Sequence, residues 1–256
     1  MTGVGLSNDV FDRWLSIDQA NVGMHVLYLC RETNGSPDDI IEELRSVVRA
    51  HYVAPETTAK RLSDLGAPET AKTLREHLPV SKTARSGDLG EVLATELTER
   101  RLGFRVPIRR LRWKDGRDMA LRGDDIVAVA RDRKMRLVFL KGESKSRVEL
   151  TSTVVTAAEV ALDSWDGRPT RHSVYFVADR LRDQGEHDLA KELETAVLKS
   201  YRGCVIEHLL FTVSGNDPGA TLSQHLCVCI NPIRRHAVGV LVVDVGRFIE
   251  RLFSEF

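Results

Sequence analysis

Two short apolar runs separated by a charged turn place the strongest limit on how this chain can fold. The first run covers residues 126–130, the second covers 135–141, and Asp132-Arg133-Lys134 lies between them. Apolar and β-branched residues on both sides of a turn are typical of a β-hairpin. Asp125 precedes the first run, and Glu143-Ser144-Lys145 follows the second. The pattern therefore predicts a hairpin with charged residues at the same end of both strands.

These charged residues have the chemistry of a metal-assisted hydrolase. Side chains two positions apart share one face of a strand, so Glu143 and Lys145 are expected about 6–7 Å apart on one face. Antiparallel pairing brings Asp125 beside Glu143, and two such carboxylates repel each other unless a cation such as Mg²⁺ or Mn²⁺ joins them. A lysine there can orient a water molecule or stabilise charge on a phosphate. The pattern predicts phosphodiester hydrolysis, with Asp125 and Glu143 as metal ligands and Lys145 as a catalytic residue.

Each of these residues also has an ordinary structural interpretation. Glu-x-Lys is common as a solvated pair, Asp125 could end a turn, and Glu91 could be an acid favoured by a helix dipole. A shared site is favoured by their order: Glu91 near the start of a predicted helix, Asp125 at a strand, and Glu143 18 residues later on the next strand.

The order of elements resembles the core of the PD-(D/E)xK nucleases, αβββαβ. Three segments are closer still to HamA, the nuclease subunit of the Hachiman antiphage system: Gly87–Glu91, Met119–Ile126 and Leu140–Lys145. The resemblance covers roughly residues 82–165. It implies that Asp125, Glu143 and Lys145 match the metal-binding and catalytic positions and that Glu91 matches an accessory catalytic glutamate. It also implies a superfamily-2 helicase, HamB-like, as the partner.

Two departures from the superfamily pattern concern the aspartate. Gly123-Asp124 stands where the superfamily has proline, and Asp124 and Asp125 are adjacent, so that only one of them can face a metal. Asp125 is the better candidate because it directly precedes the apolar run and matches the Gly-x-Asp spacing of the branch.

Positive charge is concentrated in the middle of a chain whose formal net charge is zero. Residues 81–150 contain 18 basic and 11 acidic side chains, a net charge of +7, whereas 1–80 and 151–256 are net negative. Such a basic block is typical of nucleic-acid binding. The predicted DNA-binding residues are Arg109, Arg110, Arg112 and Lys114, together with Lys141 and Arg147 beside the site. The alternative is a solvated edge strand that repels other edges. For Trp113, a core position is the stronger interpretation than base stacking.

The remaining patterns predict an α/β (α+β) fold. Residues 1–80 form a mixed, mostly helical region suspected of docking a partner, and residues 81–256 form the nuclease-like domain, with 78–83 as the linker. Helices are expected at 36–51, after Pro55 and Pro68, and at 92–100, 149–164, 172–182, 187–198 and 248–256. Strands are expected at 24–30, 104–113, 204–213, 223–230 and 237–243, in addition to the hairpin.

Composition argues against the membrane, secreted and disordered classes. The chain has 42% hydrophobic and 29% charged residues, no apolar run of membrane-spanning length, and no signal-peptide pattern at 1–9, so it is expected in the cytoplasm without a membrane partner. Cys227 and Cys229 would share a strand face, and a metal site with His225 is conceivable. Burial in the core is the stronger expectation for the four cysteines.

Three classes of function remain. The first is a Mg²⁺-dependent DNA endonuclease in prokaryotic antiphage defence, controlled by a helicase. The second is a catalytically silent nuclease fold that binds DNA or regulates the helicase. The third is a structural or sensor subunit that docks through residues 1–80. The complete Asp125, Glu143 and Lys145 set favours the first.

Overall fold

A computed structural model describes residues 9–33 and 38–254. Its centre is a six-stranded sheet in the order β1-β2-β6-β5-β4-β3. The β1–β2 and β3–β4 pairs are antiparallel, and the three pairs between β2, β6, β5 and β4 are parallel. The strands are β1 (Leu15–Val22), β2 (His25–Glu32), β3 (Ile126–Arg131), β4 (Leu137–Arg147), β5 (Val205–Ser214) and β6 (Arg234–Leu241). The mixed α/β class expected from the sequence is confirmed.

Helices cover both faces of this sheet. They are α1 (Val10–Trp14), α2 (Asp38–Tyr52), α3 (Pro55–Leu65), α4 (Ala67–His77), α5 (Lys82–Arg101), α6 (Ser152–Asp163), α7 (Arg171–Asp183), α8 (His187–Leu198), α9 (Gly219–Cys227) and α10 (Val245–Ser254). The largest core cluster joins one sheet face to α1, α2, α5 and α10. On the other face, α7 and α8 cover β3 and β4, and α6 and α9 cover the middle of the sheet. The sheet is therefore buried between two helical layers.

The predicted hairpin is confirmed as the β3–β4 pair. Ile126 lies opposite Gly142, and Arg131 lies opposite Leu137. The Asp132 carboxylate closes the turn by accepting hydrogen bonds from the backbone N–H groups of Lys134 and Arg136, at 2.9 and 2.8 Å. This register brings the start of β3 beside the second half of β4.

Residues 104–113 do not form the predicted edge strand. A single antiparallel bridge joins Arg105 to Val129, and Arg110–Trp113 form one turn of 3₁₀ helix. Pro107 has no backbone N–H to continue a ladder. Between α5 and α6 the described chain thus has two strands and this bridge, where the sequence led us to expect three strands.

Residues 223–230 are also not a strand. Pro218-Gly219 begins α9, and Leu222 and Leu226, four residues apart, are its buried residues. Cys227 is consequently exposed and Cys229 half-buried. Of the four cysteines only Cys30 is buried, so the expectation that they belong to the core is wrong for the others.

The N-terminal region contributes to the same sheet as the rest of the chain. The β1–β2 hairpin pairs with β6 from Val26 to Arg31, and α5 begins within the expected linker, at Lys82. One sheet thus contains strands from both sides of the predicted boundary at residue 80, and the division into domains stays a prediction. The predicted start of the second helix at Ser36-Pro37 lies outside the described residues. None of the helices in the described ranges is long and apolar enough to span a bilayer.

Candidate active site

Helix α5 places two acidic side chains above the β3–β4 hairpin. Its first turn is capped by Ser81, whose hydroxyl accepts a hydrogen bond from the N–H of Ala84. Asp88 and Glu91 are three residues apart and share one side of the helix. Gly90 permits close contact with β4, because a Cβ there would lie 2.7 Å from Ser144 Oγ. This close contact brings Glu91 against β4, the strand that contains Glu143.

The hairpin supplies the remaining charged groups. Asp125 precedes β3, and its Oδ2 atom accepts a hydrogen bond of 2.9 Å from the Ser144 backbone N–H. This bond orients the Asp125 carboxylate towards β4. Glu143 and Lys145 lie on one face of β4 and form an ion pair.

These side chains line one cavity of about 320 Å³ at the carboxyl end of β4. All four predicted catalytic residues line this cavity: Glu91, Asp125, Glu143 and Lys145. The carboxyl ends of parallel strands are where open α/β sheets most often bind ligands. The proximity expected from the sequence is therefore present in the structure, and the catalytic role stays a prediction.

Burial and mutual repulsion make this cavity unfavourable for negative charge. Burial raises the pKa of Glu91 to about 8. Burial also raises the pKa of Asp125 and of Glu143, and the charge of Asp125 raises the pKa of Glu143 further. A bound cation would offset this cost by compensating the charges of the carboxylates.

The donor set fits a hard cation that keeps water ligands. Among the described residues, no group of three His, Cys, Asp or Glu side chains is arranged as a complete metal cage. Mg²⁺ is usually held by one or two carboxylates, together with water and the oxygen atoms of a phosphate. Asp125 and Glu143 supply such a pair at the cavity wall. Histidine and cysteine, the usual ligands of Zn²⁺, do not occur among the described residues that line the cavity.

Asp124 has a structural position outside the cavity. It is buried, and its Oδ2 atom accepts a 2.7 Å hydrogen bond from the Thr170 backbone N–H next to α7. Its own N–H donates to Ser173 Oγ at 2.8 Å. Since Asp124 is held by these partners, Asp125 is the member of the pair that faces the cavity.

Two of the predicted DNA-binding residues are buried and bonded to backbone carbonyls. Arg110 donates to the carbonyl oxygens of Arg122, Asp124 and Asp125. Lys141 Nζ donates to the carbonyl oxygens at the end of α6, at 3.0 and 2.8 Å. Contact of either residue with a phosphate would require the loss of these bonds.

Arg109 and Arg112 line a different pocket from the acidic cavity. Arg109 forms ion pairs with Glu96 and Glu99, and Arg112 donates two hydrogen bonds to the carbonyl oxygen of Ala50. Neither lines the acidic cavity. Their binding of DNA stays a prediction, without support from this geometry.

Lys114 and Arg147 do line the acidic cavity. Lys114 Nζ lies 2.8 Å from Asp88 Oδ2, and the Tyr52 hydroxyl donates to the same carboxylate at 2.6 Å. Arg147 is exposed, so its charge is accessible to a ligand entering the cavity.

The set of residues predicted from the sequence does not include Asp88, although its three-residue spacing from Glu91 was the available signal. The preferred interpretation of Trp113 was also wrong, since this residue is 38% exposed and lies at the surface. Trp113 is the last residue of a 3₁₀ turn, where strand alternation no longer predicts which side is buried.

The fold and cavity define a three-layer α/β protein with an acidic, lysine-containing site at the end of its sheet. A family model, HamA, matches residues 8–256, and the chain belongs to this family. Among curated proteins, a Hachiman protein HamA from Bacillus cereus is 29% identical over 113 residues. The match covers 44% of this chain and 39% of that relative.

Proposed function

We propose that this chain is a Mg²⁺- or Mn²⁺-dependent DNA endonuclease of prokaryotic antiphage defence. The observation that carries the proposal is the convergence of Asp125, Glu143 and Lys145 in one cavity beneath Glu91. Membership of the HamA family supports the defence role, since the relative in Bacillus cereus is a Hachiman protein. The hairpin between α5 and α6 also agrees with a PD-(D/E)xK core whose first strand is reduced to the Arg105 bridge.

The chain's own residues would divide the work of phosphodiester hydrolysis. Asp125 and Glu143 would hold the metal ion, and the Ser144 N–H keeps the Asp125 carboxylate in place. When bound, the metal would polarise the phosphate and make water a better nucleophile. Lys145 would orient the attacking water or stabilise negative charge on the phosphate, and Glu143 keeps its ammonium group at the site. Arg147 would bind a neighbouring phosphate.

The direct test is plasmid cleavage by the purified chain with Mg²⁺ and with EDTA. We expect nicking or degradation that requires the metal and falls at least ~100-fold in Glu143→Gln and Lys145→Met, because each loses an essential charge. Glu56→Gln is the matched control, since Glu56 is exposed and does not line the cavity. Full cleavage by both site variants would refute the assigned site.

We further propose that a superfamily-2 helicase partner restrains the nuclease until it engages phage DNA. The free chain should then cleave faster than the complex without ATP, and addition of ATP and DNA should restore cleavage. Equal rates with and without the helicase would argue against restraint. No cleavage under any of these conditions would instead favour the catalytically silent DNA-binding or regulatory subunit.

A further inference from the structure

A second groove of about 610 Å³ lies beside the acidic cavity. Ala120 and Leu121 line both, so the two spaces share a wall. The groove is formed by the loop before β3 and by one side of α7. Its aromatic and basic lining residues are Arg110, Trp113, Arg122, His172, Phe176 and Arg180.

The Arg180 guanidinium lies over the Trp113 ring in this groove, and the two side chains form the Trp113–Arg180 platform. The Arg180 guanidinium carbon lies 4.1 Å from the centre of the Trp113 ring and 5.6 Å from the centre of the Phe176 ring. Arg180 is also held by Asp183, at 2.7 Å. Aromatic rings and guanidinium planes are surfaces on which a nucleobase stacks, and such stacking tolerates any base sequence.

The groove also carries accessible positive charge. Arg122 and His172 are exposed, and in the described part of the chain no hydrogen bond or ion pair engages the side chain of Arg122. Asp115 is the acidic residue of the lining, and it is exposed to solvent. A charged arginine beside a stacking platform suits a nucleotide, which has both a phosphate and a ring.

We propose that this groove binds an unpaired nucleotide of the DNA strand that enters the acidic cavity. The base stacks on the Trp113–Arg180 platform, and Arg122 contacts the adjoining phosphate. A base in the interior of a duplex has both faces covered by its neighbours, so the platform is open to an unpaired base but not to an interior base of a duplex. This inference rests on the proposed nuclease function and adds to it a preference for single-stranded or locally opened DNA.

The test measures binding of a short single-stranded DNA oligonucleotide in the Glu143→Gln background, so that the probe stays intact. We expect Trp113→Ala to weaken binding roughly 5- to 150-fold, the effect of losing one base–aromatic stack. Trp113→Phe should restore most of the affinity because it keeps an aromatic face. Trp165→Ala is the matched control, since Trp165 is 73% exposed and does not line the groove.

A second set of probes separates base stacking from a general loss of folding. We place a single abasic site at successive positions of the oligonucleotide. At one position the abasic site should weaken binding to the parent, and at that position it should not weaken binding to Trp113→Ala. Arg122→Gln should reduce the steepness of log affinity against log salt concentration by about 1, the change expected when one phosphate contact is lost.

The outcomes distinguish this inference from the proposed function. Equal affinity of Trp113→Ala and its parent, or absence of oligonucleotide binding by the parent, would overturn the groove assignment. If the chain with Glu143 still cleaves plasmid in that case, the nuclease function stands without the groove. If neither cleavage nor binding occurs, with or without the helicase, both proposals fail.

Discussion

Arg110 and Lys141 show why positive charge in a sequence does not by itself locate a nucleic-acid surface. Both side chains donate hydrogen bonds to backbone carbonyls. Arg110 binds carbonyl groups of the loop that contains Asp125, whereas Lys141 binds carbonyl groups at the end of α6. A guanidinium has five donors, so it can hold several carbonyl groups of an irregular loop at once. These residues therefore stabilise the walls of the site, whereas Arg122 and Arg147 are exposed.

His208 provides a residue-scale test of stability against pH. It is completely buried, its Nε2 atom lies 2.7 Å from the Gly167 carbonyl oxygen, and burial lowers its pKa to about 4. The unfolded chain therefore binds a proton below pH ~6.5 that the folded chain does not bind until pH ~4. The contribution of this group is complete above pH ~6.5, and we expect a loss of about 1–2 kcal/mol between pH 7 and pH 5.

Urea unfolding at the two pH values measures this loss in the wild type and in His208→Gln. Glutamine keeps a donor for the Gly167 carbonyl but does not titrate. The free energy of unfolding of His208→Gln should therefore fall less on acidification than that of the wild type. His187→Gln, which replaces an exposed histidine, should retain the wild-type dependence. Parallel curves for the wild type and His208→Gln would contradict the prediction.

At the scale of elements, the close contact between β3 and β4 depends on Gly142. A Cβ at this position would lie 2.7 Å from Ile126 Cβ and 3.3 Å from a Leu209 methyl. Gly142→Ala is expected to destabilise the protein by about 1–3 kcal/mol, because strands on both sides must move. Gly87→Ala is the control: nothing lies within 4 Å of its added Cβ, so an unchanged or slightly raised free energy of unfolding is expected. Chemical denaturation of both variants checks the difference.

The packing of α6 on the sheet depends on a buried arginine. Arg235 is 2% exposed, and its two terminal nitrogens lie 2.7 Å from Glu159 and 2.6 Å from Asp163. Arg235→Met should lower the free energy of unfolding by about 3–5 kcal/mol, because two carboxylates lose their cation. Arg182→Met removes a more exposed arginine from Glu194 and should have a much smaller effect. Comparable losses in thermal unfolding would show that burial is not the cause.

The sequence was informative where periodicity and capping agree, and misleading where tertiary packing decides. The β3–β4 hairpin and the helices at Pro55 and Pro68 follow from local patterns. Residues 223–230 contain an alternation that resembles a strand, yet Leu222 and Leu226 bury one side of a helix. The convergence of Asp125 and Glu143 was predictable from register, whereas the loop bonds of Arg110 depend on tertiary contacts that no local pattern encodes.

At the scale of the whole molecule, the sheet predicts which truncations are tolerated. Removal of residues 1–80 would delete β1, β2 and α2, leaving one edge of β6 without its parallel partner β2 and the α5 face without α2. We expect this variant to lose cooperative thermal unfolding. The truncated variant is therefore unsuited to mapping a partner-docking surface by pull-down. Single substitutions of surface residues are suited to that purpose.

Replacement of α3 and α4 by a flexible linker is the contrasting case. Helix α3 has no buried residue, and Thr70 is the buried residue of α4. The variant should keep a cooperative transition, measured by circular dichroism. Loss of that transition would show that these helices stabilise the core more than their burial indicates.

The pairing of Val26 with His236 has a consequence for the order of events during translation. In the sheet β2 lies between β1 and β6. The edge of β2 that faces β6 therefore has no partner until the ribosome has made and released β6. The elements of the acidic cavity, α5, β3 and β4, emerge more than eighty residues earlier. A contact that joins such distant parts of a chain closes slowly. The nascent polypeptide therefore carries all the acidic residues of the cavity well before the sheet as a whole has closed.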